Sequence, residues 1–156
     1  LTLEELFAGR DIDISAAKAR IAELMSQEGL PYGDRSMTYN SRLAQELAAW
    51  SETQANGGAI HDALFRAYFV NDQNLADIDI LIAVAEQVGL SAEAAKEILL
   101  KRGFRQAVDA DWQRSRDLGI TSVPTFVIGN RGLVGAQPYE QLEGLLLESG
   151  VARRMT

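Results

Sequence analysis

"GITSVPTFVIGNRGLVGAQPYEQLEGLL", Gly119 to Leu146, decides the fold. A glycine followed by isoleucine stops one helix, a valine-proline step comes next, two short apolar segments flank a turn, and a proline opens another helix. "TFVI" (125–128) is apolar on successive residues, the texture of a strand buried on both faces, whereas a half-exposed strand alternates. Gly129, Asn130, Arg131 and Gly132 read as the turn, "LVGA" (133–136) as the return strand, and Pro138 as a first-turn helix position, where its missing N–H costs nothing. An isolated hairpin is marginal in water, and two strands do not bury both faces of Phe126, Val127 and Ile128. No partner strand stands out elsewhere, so the stretch reads as the second half of a larger sheet.

Everything before it reads as helix. Four helix stops share one form, a glycine followed by an apolar residue: Gly29-Leu30, Gly89-Leu90, Gly119-Ile120 and Gly150-Val151. In such a stop the glycine turns left-handed and the next residue folds back on the last turn. Ser15 reads as the cap of a helix whose apolar face is Ala17, Ile21, Leu24 and Met25, and Ser91 as the cap of one with Ala94, Ala95, Ile98 and Leu99. Leu43, Leu47 and Trp50 mark a helix from near Asn40, Gly57-Gly58 breaks it, and Ile60, Leu64, Phe65, Tyr68 and Phe69 mark the next. "DIDILIAVAEQVGL" begins with strand-like alternation, but its length and the 78, 81, 82, 85, 88 spacing favour helix. A further helix runs from about Phe104 to Leu118.

Composition sets the outer bounds. The chain has 156 residues, 47% hydrophobic and 24% charged, the make-up of a globular domain with one core or one core and an annex. A net charge of -7 opposes a general nucleic-acid binder, which needs a basic surface. No apolar run approaches the roughly 20 residues that span a bilayer, and "LTLEELFAGR" carries acids where a signal peptide carries bases, so no membrane partner is expected. The chain has no cysteine, which excludes a disulfide framework, a thiolate nucleophile and a thiolate metal site within these residues. Because the first residue is Leu1, the start of translation is expected upstream.

Helix, "GITSVPTFVIG", "LVGAQP" and a closing helix together resemble the C-terminal half of a thioredoxin-type domain, specifically the DsbA-like thiol-disulfide oxidoreductases. "QEGLPY", "ALFRAYFVNDQNLADIDIL" and "GAQPYEQL" are similar to the FrnE-like branch of that family, and the resemblance runs from about Leu6 to Leu147. It implies an α/β, thioredoxin-like (DsbA type) fold with an inserted all-helical domain; as given, the chain is mostly helical with a C-terminal β-hairpin and helix. The implied organisation is a linker over 1–14 following a missing thioredoxin half, the inserted helical domain over 15–103, and the C-terminal thioredoxin half over 104–151. The family's first strand, Cys-x-x-Cys helix and next strand, at least roughly 30 residues by the size of such a unit, are not in the chain.

What remains by resemblance is the loop that faces the cysteine pair. Val123-Pro124 resembles the family's cis-proline step, and the residue before proline offers its backbone to a substrate peptide. Pro124 is thus the implied catalytic-loop residue, with Val123 and Ser122 as substrate-binding residues. Taken alone, Val123-Pro124 reads as a trans turn, since only about 5% of X-Pro bonds are cis. Ser122 and Thr121 read either as turn residues satisfying local backbone or as support for substrate docking. His61 is a lone, partly exposed helix residue and makes neither a triad nor a metal site. Asp109 and Asp111 read as a solvated face, and Lys101, Arg102 and Arg105 as cations suited to a helix end. Phe65, Tyr68, Phe69 and Trp50 read as the core of the helical domain, with an apolar wall beside a substrate groove as the lesser alternative.

The expected function is thiol-disulfide exchange by the parent protein, as a dithiol oxidase or isomerase, with a thiol or disulfide protein or small molecule as substrate. No cofactor is expected beyond a redox-active cysteine pair in the missing N-terminal segment. The chain itself is expected to be inactive, because exchange needs a thiolate. Strand pairing or a homodimer through 125–128 is the expected association, and the FrnE-like relatives point to the cytoplasm. Two alternatives stay open: a glutathione-dependent isomerase or kappa-type transferase on the same fold, whose "WGQD"-like segment is here "VGAQP", and a non-catalytic helical interaction module.

Overall fold

A computed structural model describes residues 1–153 of the chain. Among them the order is α1 (Leu3–Leu6), α2 (Ile14–Gln27), α3 (Arg42–Ser51), α4 (Ala59–Phe69), α5 (Ile78–Gln87), α6 (Ala92–Lys101), α7 (Arg105–Asp117), β1 (Thr125–Ile128), β2 (Arg131–Val134) and α8 (Tyr139–Glu148). The chain divides into two compact units, Leu1–Asp109 and a second that starts at Ala110, with the boundary inside α7.

In the first unit α3, α4, α5 and α6 pack on one another. Their inward stripes supply Leu47, Ile60, Leu81 and Leu99, none with measurable exposure. Burying a side chain of this size contributes about 1.5–3 kcal/mol each. Trp50 joins this core at 5% exposure, and Tyr68 packs against it partly buried. Phe65 does not belong to it: the residue is 63% exposed, contrary to the core role expected for it. α4 turns Leu64 and Ala67 inward, so Phe65, one residue round from Leu64, falls at the edge of the buried stripe.

The helix stops have the expected chemistry. All four glycines take positive φ, and the N–H groups of Leu30, Leu90, Ile120 and Val151 donate back to Met25, Ala85, Ser115 and Leu146 at 2.8–3.0 Å. A fifth stop has the same form without glycine at the turning position: Arg102 is left-handed at φ 54, and the Gly103 N–H reaches Ile98 O at 2.9 Å. Ser91 caps α6 through the Ala94 N–H. Ser15 does not cap α2; Asp13 does, accepting from the Ala16 N–H at 2.9 Å, since two residues upstream its carboxylate faces the free first-turn donors. The stretch 1–14 is not bare connection. Thr2 and Glu5 form a reciprocal capping box around α1, Leu3 is buried, and Leu1 to Leu3 hydrogen-bond with Ser36 and Thr38.

In the second unit β1 and β2 form a two-stranded antiparallel sheet with Phe126 opposite Leu133 and Ile128 opposite Arg131. The turn is only Gly129-Asn130; Arg131 and Gly132, expected in the turn, already lie in β2. Gly129 at φ 61 supplies the positive torsion that a two-residue hairpin connection needs. Pro138 is the N-cap of α8 and not its first-turn residue. α8 packs on β2, buries Leu145, and is tied to the hairpin by Arg131–Glu148 at 2.7 Å. β1 is not covered on both faces: Phe126 is 39% and Val127 40% exposed, because β2 is its one partner strand among the described residues.

Candidate functional site

α7 ends in the Gly119 stop, and the chain then crosses an exposed loop into β1. Ser122, Val123 and Pro124 are consecutive on this loop and all exposed. The Val123-Pro124 peptide bond is cis. Three contacts shape the loop. The Thr125 hydroxyl donates to Ser122 O at 2.6 Å, the Gly135 N–H donates to Pro124 O at 2.8 Å, and the Ile120 N–H closes the preceding helix. Val123 stands apart: the residue is 89% exposed, and its N–H and C=O hydrogen-bond to no described residue.

The bond from Gly135 to Pro124 also fixes which edge of β1 is open. Pairing in an antiparallel ladder alternates, so Pro124, Phe126 and Ile128 bond across to the return strand, while the backbone groups of Thr125 and Val127 point to the outer edge. Apart from that edge, a hollow of about 270 Å³ lies over one face of the hairpin, where Thr125 and Val127 stand beside their cross-strand partners Val134 and Gly132, with Gly119 and Thr121 at its border. Ser122 and Val123 do not line it, and no imidazole or carboxylate does. The site can therefore hold an extended polypeptide by backbone hydrogen bonds, but it carries no general base and no activated nucleophile of its own. The Thr125 brace and the Gly135 latch were missed in the sequence. A hydroxyl three residues after Ser122 was the available signal for the first.

The expected minor features fall into place differently. His61 is half-exposed beside Glu52 at 3.5 Å, and the described residues contain no cluster fit for a metal. Asp109 is not a lone solvated acid: it bonds the Arg42 guanidinium, which also reaches Arg105 O. Nor does Arg102 only face a helix end, since it grips both oxygens of Glu46 at 2.9 and 2.6 Å, while Arg42 holds Glu46 from its own helix at 3.0 Å. Glu46 is fully buried. The Arg102 guanidinium, helped by Arg42, holds its carboxyl below the usual carboxylate range against the opposing effect of burial. Asp109 is lowered by Arg42, and Arg42 and Arg102 are raised by their acids. The i,i+4 spacing of Arg42 and Glu46 was the legible part of this network.

The model of the DSBA-like thioredoxin domain matches residues 8–147. The chain is 37% identical over 105 residues to the uncharacterised protein YwbO of Bacillus subtilis, covering 65% of this chain and 51% of that protein. It is 37% identical over 93 residues to the ClpXP adapter protein SpxH of Halalkalibacterium halodurans, covering 60% of this chain and 30% of that one. The chain thus spans about half or less of the length of these curated relatives. Among solved structures, 2-hydroxychromene-2-carboxylate isomerase superposes with a TM-score of 0.72 at 20% identity, over 88% of this chain and 66% of that one. A proposed protein disulfide isomerase of Nitrosomonas europaea gives 0.67 at 18% identity, over 86% and 73%. The chain belongs to the DSBA-like thioredoxin domain family.

Proposed function

We propose that the protein is a thiol-disulfide oxidoreductase of the DsbA type and FrnE-like branch, in which this chain supplies the helical unit and the loop that docks the substrate. The observation that carries this reading is Val123, whose backbone donor and acceptor stand without a partner beside an open strand edge. The proposed exchange oxidises a substrate dithiol or isomerises a disulfide, and its steps are reversible; written in the reductive direction, a thiolate attacks one sulfur of a substrate disulfide and expels the other as thiolate. The second thiol of the pair, as thiolate, then resolves the mixed disulfide, so the substrate leaves reduced and the protein oxidised. These 156 residues contain no cysteine, so in this reading the reacting pair belongs to polypeptide outside them. Ser122 and Pro124 shape the loop and Val123 binds the chain flanking the substrate sulfur. The outer edge of β1 is expected to pair with another strand, from that polypeptide or from a second copy. A cytoplasmic site of action belongs to the same reading and rests on the FrnE-like resemblance.

Thr125→Val tests the loop, because it removes the hydroxyl that braces Ser122 while keeping the strand residue's shape. In the product of the whole coding sequence, the expected result is a several-fold rise in KM for a disulfide peptide with kcat nearly kept. An unchanged KM sinks the docking role. A second reading, a protein-binding module without redox chemistry, is favoured by the absence of cysteine and by the relative named as an adapter. It predicts no exchange activity in the whole product.

A further inference from the structure

The displaced ring of Phe65 marks a second concave surface, wholly within the first unit and independent of the thiol-exchange reading. A groove of about 410 Å³ runs between α2 and α4, with Ile21 and Met25 on one wall, Phe65 and Phe69 on the other, and Tyr32 at the end. This volume lies in the range of small-molecule sites. Its lining is apolar except for Asp62 and Arg66. The aromatic wall is held in place before any ligand arrives. Phe65 stacks on Phe69 at 6.1 Å, Phe69 meets Tyr68 edge-on at 4.8 Å, and Arg35 lies 4.5 Å over Tyr68 and bonds its hydroxyl. A large ring kept in water by a rigid stack is preorganised to bind, since ordering it on association costs little.

The charge at the rim selects the ligand. Asp62 accepts from Arg66 Nε at 2.7 Å, which orients the guanidinium, and the terminal nitrogens of Arg66 hydrogen-bond to no described residue. A guanidinium has five donors in a planar fork, so most remain for an anion. We propose that this groove binds a small aromatic anion, its rings between Phe65 and Met25 and its anionic group on Arg66.

Two fluorescent probes with the same aryl body separate the contributions: 1-anilinonaphthalene-8-sulfonate, which is anionic, and N-phenyl-1-naphthylamine, which is neutral. The chain is expected to bind the sulfonate at one saturable site. Ile21→Glu should weaken it at least about tenfold by placing a charge in the apolar wall. Arg66→Gln should weaken the sulfonate about fivefold, the scale of one exposed ion pair, and leave the amine nearly unchanged. Asp62→Asn should tighten the sulfonate, while Leu147→Gln on α8 should alter neither. Circular dichroism checks that each variant is folded. Binding that survives Ile21→Glu in a folded protein overturns the site. Equal loss of both probes in Arg66→Gln overturns the anionic assignment, as does a groove that takes neither probe.

Discussion

Glu46 shows how one residue can fasten two parts of a helical unit. It sits in the middle of α3 with no exposure, and its bonds to Arg102 and Arg42 join that helix to the end of α6 and, through Asp109, to the start of α7. Glu46→Ala leaves the Arg102 guanidinium without the acid it grips, while Arg42 keeps Asp109. We expect a loss of roughly 2–4 kcal/mol in urea unfolding, toward the lower side for truncating a buried pair because Arg102 is partly in water. The pH dependence has a definite sign. Glu46 and Asp109 have folded pKa values below their ordinary ones, so their stabilisation is complete above the ordinary carboxylate range and disappears as pH falls through the depressed values. Glu46→Gln should therefore flatten the acid limb of a stability-pH profile and leave its shape near pH 7 unchanged; an unaltered acid limb would show the network to be idle.

The elements differ in how firmly they are held. α2 runs for 14 residues without one buried side chain, whereas α3, α5 and α6 bury five, three and two. Helices draw most of their stability from packing, so the amides of α2 should exchange with deuterium well before those of α5 and α6. Ser91→Ala should cost about 1 kcal/mol, the usual worth of a helix cap, read as a shifted melting curve. The helices and their stops were legible because periodicity and glycine-apolar pairs are local signals. Asp13 caps α2 in place of Ser15 because both residue types can cap and only the backbone decides. Phe65 was misplaced because a periodic pattern gives a helix face only to within one position. The hairpin was legible from "VPTFVIGN", but its turn came out shorter, since strand pairing extends until the ladder hydrogen bonds run out. The loop's roles came from resemblance; Glu46 and Arg102 are 56 residues apart, and no local pattern reports their contact.

For the whole molecule, the family is settled, whereas the proposed exchange would need a thiol that these residues do not contain. The described residues contain no helix long and apolar enough to cross a membrane, and the sequence has no thiol to exchange. A two-stranded sheet with Phe126 and Val127 about 40% exposed leaves apolar surface and unpaired backbone that a further strand would cover. Val127→Lys, a charge on the open edge, should lower any concentration-dependent association seen by light scattering. The most direct test of the account compares insulin disulfide reduction by the 156-residue chain and by the product of the whole coding sequence. The account predicts no turnover above buffer for the chain and thiol-dependent turnover for the whole product. Turnover by the cysteine-free chain, or none by the whole product, would contradict it.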